Sequence, residues 1–383
     1  MFFGIIFIVC LGFYGYTYWK IIRAFSGRVP LKITLAFVAL ACLLMPIAGM
    51  WLEGHGYFAI AWPLATIGFI LLAGAGWFFA MAIVSDLWNL LASLVGIWWP
   101  KARRLIAPPK WSVLAITIVV ITGLSVGVYQ AYHVEAHEVV VPVSHLPDGR
   151  KTLTIAQVSD LHMGINERGP RIRQVLDILR ETKPDLILFT GDIIDSPLPH
   201  VREFAPQFAE IHAPLGKFAS MGNHEFYVAR DGTLAGVLDW YRQAGFTVLR
   251  QQNVRLGQGL LLAGVDDGGH GPFDTMNLSD ESAALQGVQK GDVVLFLKHR
   301  PLTDAYWCGQ TMIQFSGHAH GGQIWPWHYI SMTQFPRLRG LFELAPGRYL
   351  NVNTGAGTWG PQVRLFAPPE VTILKLQVEG ATK

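Results

Sequence analysis

Cysteine is nearly absent from this chain of 383 residues, which has only three, Cys10, Cys42 and Cys308. Two of them lie in long apolar segments and the third is isolated, so the sequence offers no disulfide framework and no pair with zinc-site spacing. Cys308 stands beside Trp307 and is more typical of a small packed side chain than of a nucleophile. Cysteine chemistry therefore indicates neither the fold nor the mechanism.

Charge is also scarce: 15% of the residues are charged, whereas 51% are hydrophobic. The first 132 residues hold only ten charged side chains, and eight of these are Lys or Arg. The net charge of +3 thus comes from the first third, and the remainder is slightly acidic. Such a domain has no broad basic surface for phosphate backbones, so we expect no nucleic-acid partner.

Long apolar runs fill the first third. Four of them are long enough to cross about 30 Å of hydrocarbon as helices, at residues 2–19, 33–51, 58–84 and 111–132. The first run has no basic stretch before it and no small-residue cleavage site after it, which favours a retained helix over a signal peptide. We therefore predict a membrane anchor of about four helices over residues 1–132.

Loop charge predicts the orientation of these helices. The second loop offers only Glu53 and His55. Basic residues fill the first and third loops, namely Lys20, Arg23, Arg28, Lys32, Lys101, Arg103, Arg104 and Lys110. Because basic loops stay in the cytoplasm, both termini and the whole C-terminal domain are expected on the outer side of the membrane.

Residues 85–99 are apolar but contain Asp86 and Asn89. We interpret them as an extension of the third helix or as an interfacial helix, since no other charge within the apolar segments is available to pair with Asp86. A fifth crossing is the alternative, and it would reverse the orientation of everything downstream. The scarcity of polar residues also argues against a transporter.

Beyond residue 132 the pattern changes to short strands and amphipathic helices. A linker with a first strand at 138–143 occupies residues 133–150, and strands at 152–158, 186–190 and 217–221 alternate with helices at 170–181, 201–211 and 233–244. Further strands are predicted at 247–249, 254–256, 260–264, 293–297, 312–315, 349–352 and 371–376. This alternation predicts an α/β domain with covered sheets over residues 151–383.

Polar side chains follow five of these strands at the point where each strand ends, which is where α/β sheets bind their ligands. The five ends read Ser159-Asp160-Leu161-His162, Gly191-Asp192-Ile193-Ile194-Asp195, Gly222-Asn223-His224-Glu225, Lys298-His299-Arg300-Pro301 and Gly317-His318-Ala319-His320. One such motif arises often by chance, and a lone His is usually structural. Five in order, each closing a strand, indicate one shared site.

This ordered set resembles the motifs of the calcineurin-like metallophosphoesterases over about residues 138–378. The later run from Gly355 to Gly360, with Arg364 and Pro368-Pro369-Glu370, resembles the bacterial membrane-associated branch. The resemblance implies a four-layer αββα sandwich with metal ions above the sheet edges. An anchor of four helices departs from relatives that have a single anchor or signal, which weakens analogies of substrate.

The resemblance also implies two divalent ions. One would be held by Asp160, His162, Asp192 and His320. The other would be held by Asp192, Asn223, His299 and His318, with Asp192 bridging the pair. A shared carboxylate offsets the repulsion between two cations, and oxygen and nitrogen ligands without thiolate suit Mn, Fe or Zn.

Two ions about 3.5–4 Å apart would orient a phosphoryl group and lower the pKa of a bound water toward about 7. The resulting hydroxide would attack phosphorus, so no protein nucleophile is needed. His224 follows Asn223 directly and would act on the leaving group, as a general acid or by stabilising the transition state. Asp195 either orients a ligand His or caps a helix.

Two segments are candidates for the rim of the substrate pocket. One is the glycine-rich stretch 266–272, and the other is 325–344, which mixes aromatic residues with Arg337 and Arg339. Aromatic and basic side chains together suit anionic lipid headgroups, and packing against the sandwich is the alternative. The short tether from the fourth helix favours a phospholipid or lipid-linked phosphate as substrate.

The sequence therefore predicts a membrane-anchored phosphoesterase that hydrolyses a phosphate mono- or diester, with His224 and Asp192 as catalytic residues. The alternative is a catalytically inactive phosphoesterase fold that serves as a membrane docking module. Loss of ligands would mark such a module, yet all seven ligand positions and His224 are filled. The lipid bilayer and the phosphate ester are the expected partners, and the sequence gives no oligomeric state.

Overall fold

The computed structural model describes residues 2–25, 28–165, 167–229, 234–267, 280–303 and 310–380. The chain divides into two units, one formed by Met1–Tyr129 with Gly360–Val363 and the other by Gln130–Trp359 with Arg364–Lys383. Cys308 and residues 268–272 of the predicted rim loop lie outside the described residues.

Four long helices are described in the first unit, and the fourth continues by two residues, Gln130 and Ala131, into the second. They are α1 (Phe2–Phe25), α2 (Val29–Gly54), α3 (Phe58–Trp98) and α4 (Pro109–Ala131). Each is long and apolar enough to cross a membrane. The longest is α3, with 41 residues, because residues 85–98 continue it without a break. This agrees with the interpretation of that segment as an extension of the third helix.

Asp86 has a charged partner, so the expectation that it lacks one was wrong. The helix α1 continues beyond its apolar run and includes Lys20, which the sequence had placed in a loop. The ammonium group of Lys20 forms an ion pair with Asp86, and the hydroxyl of Tyr16 donates a hydrogen bond to the same carboxylate. Tyr16 and Lys20 are four residues apart and thus share one helix face. Both donors hold α1 against α3.

The described part of the second unit contains two six-stranded sheets. The strands are β1 (Glu135–Val143), β2 (Thr152–Val158), β3 (Leu186–Thr190), β4 (Lys217–Ser220), β5 (Thr247–Val248), β6 (Gln252–Arg255), β7 (Leu260–Gly264), β8 (Val293–Leu297), β9 (Thr311–Ser316), β10 (Gly340–Ala345), β11 (Arg348–Val352) and β12 (Glu370–Val378). The first sheet has the order β1-β12-β2-β3-β4-β5, and the second has the order β10-β11-β9-β8-β7-β6.

The helices of this unit are α5 (Pro170–Thr182), α6 (Ala205–Ala209), α7 (Asn223–Val228), α8 (Leu234–Gln243), α9 (Glu281–Ala284) and α10 (His328–Gln334). The predicted helix at 201–211 is shorter than expected: a 3-10 turn at Arg202–Phe204 precedes α6. Pro206 lacks a backbone N–H and fits only the first turn of a helix, so α6 begins beside it.

Three apolar layers separate the elements of the second unit. Residues such as Ile155, Leu188 and Leu295 fill the space between the two sheets. Alternate residues of the first sheet face the other way, toward α5, α6 and α8. The outer face of the second sheet packs against α9, where Ala284 is buried. The order helix, sheet, sheet, helix confirms the predicted four-layer αββα fold.

Strand direction brings the motifs together. The strands β2, β3 and β4 run parallel, as do β7, β8, β9 and β11. The last residue of β2, Val158, is opposite Phe189, and the last residue of β8, Leu297, is opposite Phe315. The carboxyl ends of each parallel set therefore lie at one edge of its sheet, and the loops that follow them meet there.

Candidate metal centre

Three overlapping groups of side chains meet beyond these strand ends. Within each group the potential ligand atoms lie within 4.8 Å of one another. The groups are Asp160, His162 and His320; His162, Asp192 and His224; and Asp192, His299 and His318. Asp192 and His162 each belong to two groups. The fold thus brings together every Asp and His proposed as a ligand from the sequence, and His224 with them.

The imidazoles form two pairs. Nε2 of His162 lies 3.0 Å from Nε2 of His320, and Nε2 of His299 lies 3.1 Å from Nδ1 of His318. Oδ1 of Asp160 lies 3.5 Å from Nε2 of His320, which belongs to the first pair. Oδ2 of Asp192 is 3.1 Å from His299 Nε2 and 4.0 Å from His162 Nε2. Asp192 therefore lies between the two pairs.

The donor atoms fit divalent cations. The side-chain oxygen of Asn223 is buried and has no hydrogen-bond partner among the described residues. A buried acceptor without a partner costs about 1–3 kcal/mol. A cation would satisfy this oxygen and would replace the imidazole–imidazole contacts with ligand bonds. Carboxylate, amide and imidazole donors without thiolate suit Mn, Fe or Zn, so the residues fit a pair of such ions.

The backbone at this site is strained. Five of the seven proposed ligands have left-handed φ angles: Asp160 (50°), His162 (48°), Asp192 (55°), His318 (66°) and His320 (50°). Residues other than glycine seldom adopt this conformation, which costs about 1–3 kcal/mol each. Every one of them comes soon after a strand, where the chain turns sharply. The turns aim the side chains at a common point above the sheet edge.

Two glycines permit the loops to approach closely. A Cβ atom on Gly222 would overlap Oδ1 of Asp192, and one on Gly317 would overlap Oδ2 of Asp160. A backbone N–H soon after each glycine donates a hydrogen bond to the same carboxylate. The N–H of His224, two residues after Gly222, donates to Asp192 at 2.8 Å, and the N–H of His318, directly after Gly317, donates to Asp160 at 2.9 Å. These contacts fix the position of both aspartates.

Glu225 connects the loops after β3 and β4. Its buried carboxylate accepts hydrogen bonds from the backbone N–H of Asp192 at 2.9 Å, Ile193 at 2.7 Å and Gly222 at 2.9 Å. Tyr241 donates its hydroxyl to the same group at 2.9 Å. The sequence motif contained Glu225 but gave it no role. Its position at the start of α7, three residues after Gly222, is the available signal, because Glu is typical there in a capping box.

Asp195 lies between two imidazoles. Its carboxylate contacts Nδ1 of His224 and lies 3.3 Å from Nδ1 of His162. Of the two roles considered for Asp195, this position favours orienting a histidine over capping a helix. Burial acts to lower the pKa of His224, but the carboxylates of Asp195 and Asp192 outweigh it and raise the pKa to about 9. These two carboxylates therefore favour the protonated form of His224.

The other imidazoles differ in protonation. Nδ1 of His299 lies 2.7 Å from the carbonyl oxygen of Thr190, which turns its Nε2 toward Asp192. Burial acts to lower the pKa of His299, yet Asp192 raises it to about 10. Burial also lowers the pKa of His318 and of His320, which are thus neutral. Neutral imidazole is the form that binds metal, and a cation beside Asp192 would displace the proton of His299.

Arg364 is a fully buried residue that contacts a proposed ligand. Its Nη2 lies 3.1 Å from Nδ1 of His320, and its Nη1 donates to the carbonyl oxygen of His320 at 3.3 Å. It also donates to the carbonyl oxygens of Gly357 and Ala367 at 2.6 and 3.0 Å. Burial lowers its pKa to about 9. Only the family resemblance had drawn attention to this arginine.

Arg171 is a second fully buried arginine, which the sequence had not marked. It pairs with Glu167 and donates to Thr358 Oγ1 at 3.1 Å and to the carbonyl oxygen of Ala131 at 3.3 Å. Its guanidinium lies 5.1 Å from the ring of Tyr132. A basic residue in the amphipathic helix α5 is normally exposed, so the pattern alone gave no sign of this connection.

Comparisons with known proteins agree with this geometry. Residues 153–322 match the family model described as calcineurin-like phosphoesterase. The chain is 35% identical over 252 residues to an uncharacterised metallophosphoesterase of Aquifex aeolicus (strain VF5), which covers 66% of this chain and 95% of that protein. A Campylobacter jejuni metallophosphoesterase is 30% identical over 239 residues, or 61% of each protein.

The chain is also similar to a transmembrane protein with metallophosphoesterase domain of Danio rerio. It is 25% identical over 285 residues, which cover 70% of this chain and 63% of that protein. The chain thus spans about three fifths of the length of the Campylobacter and Danio relatives and nearly all of the Aquifex relative. The extent of the Aquifex match and the family model over the site together show that the chain belongs to the calcineurin-like metallophosphoesterase family.

Proposed function

We propose that this protein is a membrane-anchored phosphoesterase that uses two divalent ions to hydrolyse a phosphate mono- or diester. The observation that carries the proposal is the convergence of six Asp and His side chains, in groups with ligand atoms within 4.8 Å, beside the buried oxygen of Asn223. Membership in the family supports the reaction class. The membrane part of the proposal rests on the four apolar helices.

The residues divide into two ligand sets around Asp192. Asp160, His162 and His320 would hold one ion with Asp192, and Asn223, His299 and His318 would hold the other with Asp192. When bound, Mn, Fe or Zn ions supply Lewis acidity, which orients the phosphoryl group and lowers the pKa of a bound water toward about 7. Water is the nucleophile in this scheme.

The protein side chains supply proton transfer and orientation. His224 is protonated through its contacts with Asp195 and Asp192 and donates its proton to the leaving oxygen. Asp195 orients both His224 and His162, because it contacts a ring nitrogen of each. Glu225 and the two close-packed glycines keep Asp160 and Asp192 in place.

We propose that α1 to α4 anchor the chain in a bacterial plasma membrane, with the catalytic domain on the outer side. The support is the excess of Lys and Arg in the first and third loops. Protease added to intact spheroplasts should remove the catalytic domain while leaving a cytoplasmic marker whole. Full protection of the domain in intact spheroplasts, with cleavage after lysis, would place it in the cytoplasm.

The reaction can be tested with the purified full-length chain in detergent. The protein is stripped of metal with a chelator, Mn or Zn is added back, and hydrolysis of a phosphate monoester and of a diester is measured side by side. We expect activity that depends on the metal and about two ions per chain. Asp192→Asn should remove the activity, whereas Asp177→Asn, at an exposed position of α5, should not.

Inactivity of the wild-type chain toward every ester, despite two bound ions, would favour the alternative of an inactive docking module. The complete set of ligands argues against that alternative, because an inactive fold has no need to maintain five left-handed ligand residues.

A further inference from the structure

The helix α10 exposes apolar side chains. Tyr329 and Ile330 are 62% and 64% exposed and Met332 is 41% exposed, and no residue of this helix is buried. Trp325, just before the helix, and Phe366 are 37% and 63% exposed. We call these five residues the α10 face. An apolar face of this kind on a water-exposed domain marks an interaction site.

Three of these residues line one cavity near the metal centre, and Tyr329 and Ile330 lie on the same short helix as Met332. The rings of Trp325 and Phe366 are 6.5 Å apart, and both line a cavity of about 250 Å³ together with Met332. Gly321, the neighbour of the proposed ligand His320, lines the same cavity. A molecule seated on the α10 face therefore lies close to the proposed ions.

The charge around the α10 face is positive. Arg337 and Arg339 lie between α10 and β10, and residues 325–340 contain no Asp or Glu. Arg339 donates a hydrogen bond to the carbonyl oxygen of Phe366, and so holds a cation at the edge of the face. Apolar and aromatic side chains bordered by arginine match a surface with anionic headgroups above hydrocarbon.

The α10 face is also connected to the end of an apolar helix. The N–H of Phe366 donates to the side-chain oxygen of Gln130 at 3.4 Å, and Gln130 is the next-to-last residue of α4. Only residues 132–134 separate α4 from β1, and three residues span about 10 Å at most. The α10 face therefore lies beside the residues through which the chain leaves α4 and enters this unit.

We propose that the α10 face rests on the headgroup layer of an anionic lipid bilayer and presents the metal centre to a phosphoester that a lipid carries. The substrate class rests on the proposed function, whereas the docking of the face does not. A second copy of this chain is the other occupant that an apolar face would accept, and the experiment below separates the two.

Docking can be measured without catalysis. A spin label is attached to Ile330→Cys in a full-length chain whose three native cysteines are replaced by serine, in vesicles of phosphatidylglycerol and phosphatidylcholine. We expect the label to be more accessible to oxygen than to a water-soluble nickel reagent. A label at Val140→Cys, 50% exposed on β1, should show the reverse. Equal nickel accessibility at both positions, or spin–spin broadening between chains at residue 330, would overturn the proposal.

The substrate class is tested by a charge placed on the face. Ile330→Asp should lower kcat/KM about tenfold for a phospholipid phosphomonoester embedded in the vesicle. The substitution removes an apolar side chain that would be buried in the bilayer and puts a charge in its place. Hydrolysis of a water-soluble aryl phosphate should be unchanged, as should both activities of Val140→Ser. An equal loss on both substrates, or no loss on either, would show that the α10 face does not present lipid. Absence of any hydrolysis by the wild type would instead reject the proposed function.

Discussion

Nη2 of Arg364 lies 3.1 Å from Nδ1 of His320, and the same guanidinium donates to the His320 carbonyl oxygen. A guanidinium has only donors, and a His320 that binds metal through Nε2 carries its proton on Nδ1, so Arg364 acts mainly through carbonyl oxygens. Its hydrogen bonds to those of His320, Gly355 and Gly357 hold the loops beside the ligand in place. Partners of this kind usually change metal affinity when they are replaced, by about 10–100-fold. Arg364 is therefore a positioning residue.

We predict that Arg364→Lys weakens the binding of one of the two ions by about 10–100-fold, since lysine cannot reach all these acceptors at once. Competition with a chelator measures the loss, and excess metal should restore most of kcat. Arg180→Lys is the matched control, because Arg180 is half-exposed on α5. Unaltered metal affinity in Arg364→Lys, with the fold intact, would contradict the positioning role.

Glu225→Gln tests the connection between the loops after β3 and β4. The amide retains the shape of the side chain. Its NH2 group, however, would face backbone N–H groups whose hydrogen bonds a carboxylate oxygen accepts. We expect a loss of about 1–3 kcal/mol of unfolding free energy, read from denaturant titration of the second unit. Glu210→Gln, at an exposed position, should change the free energy of unfolding little. Equal stability of both variants would argue that Glu225 is not the connection.

Gly317→Ala should disturb the metal centre by steric overlap. The added methyl group would overlap Ser159 and Asp160, so we expect at least about a hundredfold loss of kcat and a lower metal content. For comparison, Gly287→Ala places its methyl group in open space, although its φ of 80° adds strain. That variant should be less stable but equally active per folded molecule. Full activity of Gly317→Ala would exclude the close approach described above.

The leaving group reveals whether His224 is the general acid. His224→Asn should reduce kcat by about 10²–10⁴-fold for an alkyl ester, whose alkoxide needs a proton. For a nitrophenyl ester, whose leaving group departs without a proton, the loss should be much smaller. Asp195→Asn should show the same dependence in weaker form, because Asp195 holds Nδ1 of His224. A uniform loss across leaving groups would assign His224 to substrate binding instead.

The fold and most of the site were predictable because two simple regularities coincide. Parallel strands end at one edge of a sheet, and Asp160, Asp192 and His299 are each the second residue after a predicted strand. The buried partners were not predictable in the same way. Arg171 and Thr358 are 187 residues apart in the chain, and nothing local in either segment indicates that they meet.

Two further differences have local causes. The prediction placed residues 325–344 at a pocket rim as a whole, whereas the structure forms α10 and β10 there. The strand β10 exists because it pairs antiparallel with β11, a non-local interaction that its own composition does not reveal. Lys20 was assigned to a loop because the run of apolar residues ends at residue 19, although the helix continues to Phe25.

The contact of Arg171 with Ala131 and Tyr132 determines where the chain can be cut to obtain a water-soluble enzyme. Truncation at the first residue of β1 would delete both partners and leave a guanidinium with an open donor in the protein interior. Retention of residues 130–134 preserves these partners and also the acceptor for Phe366. The last turn of α4 is thus a structural part of the hydrolase, and expression vectors should begin upstream of it.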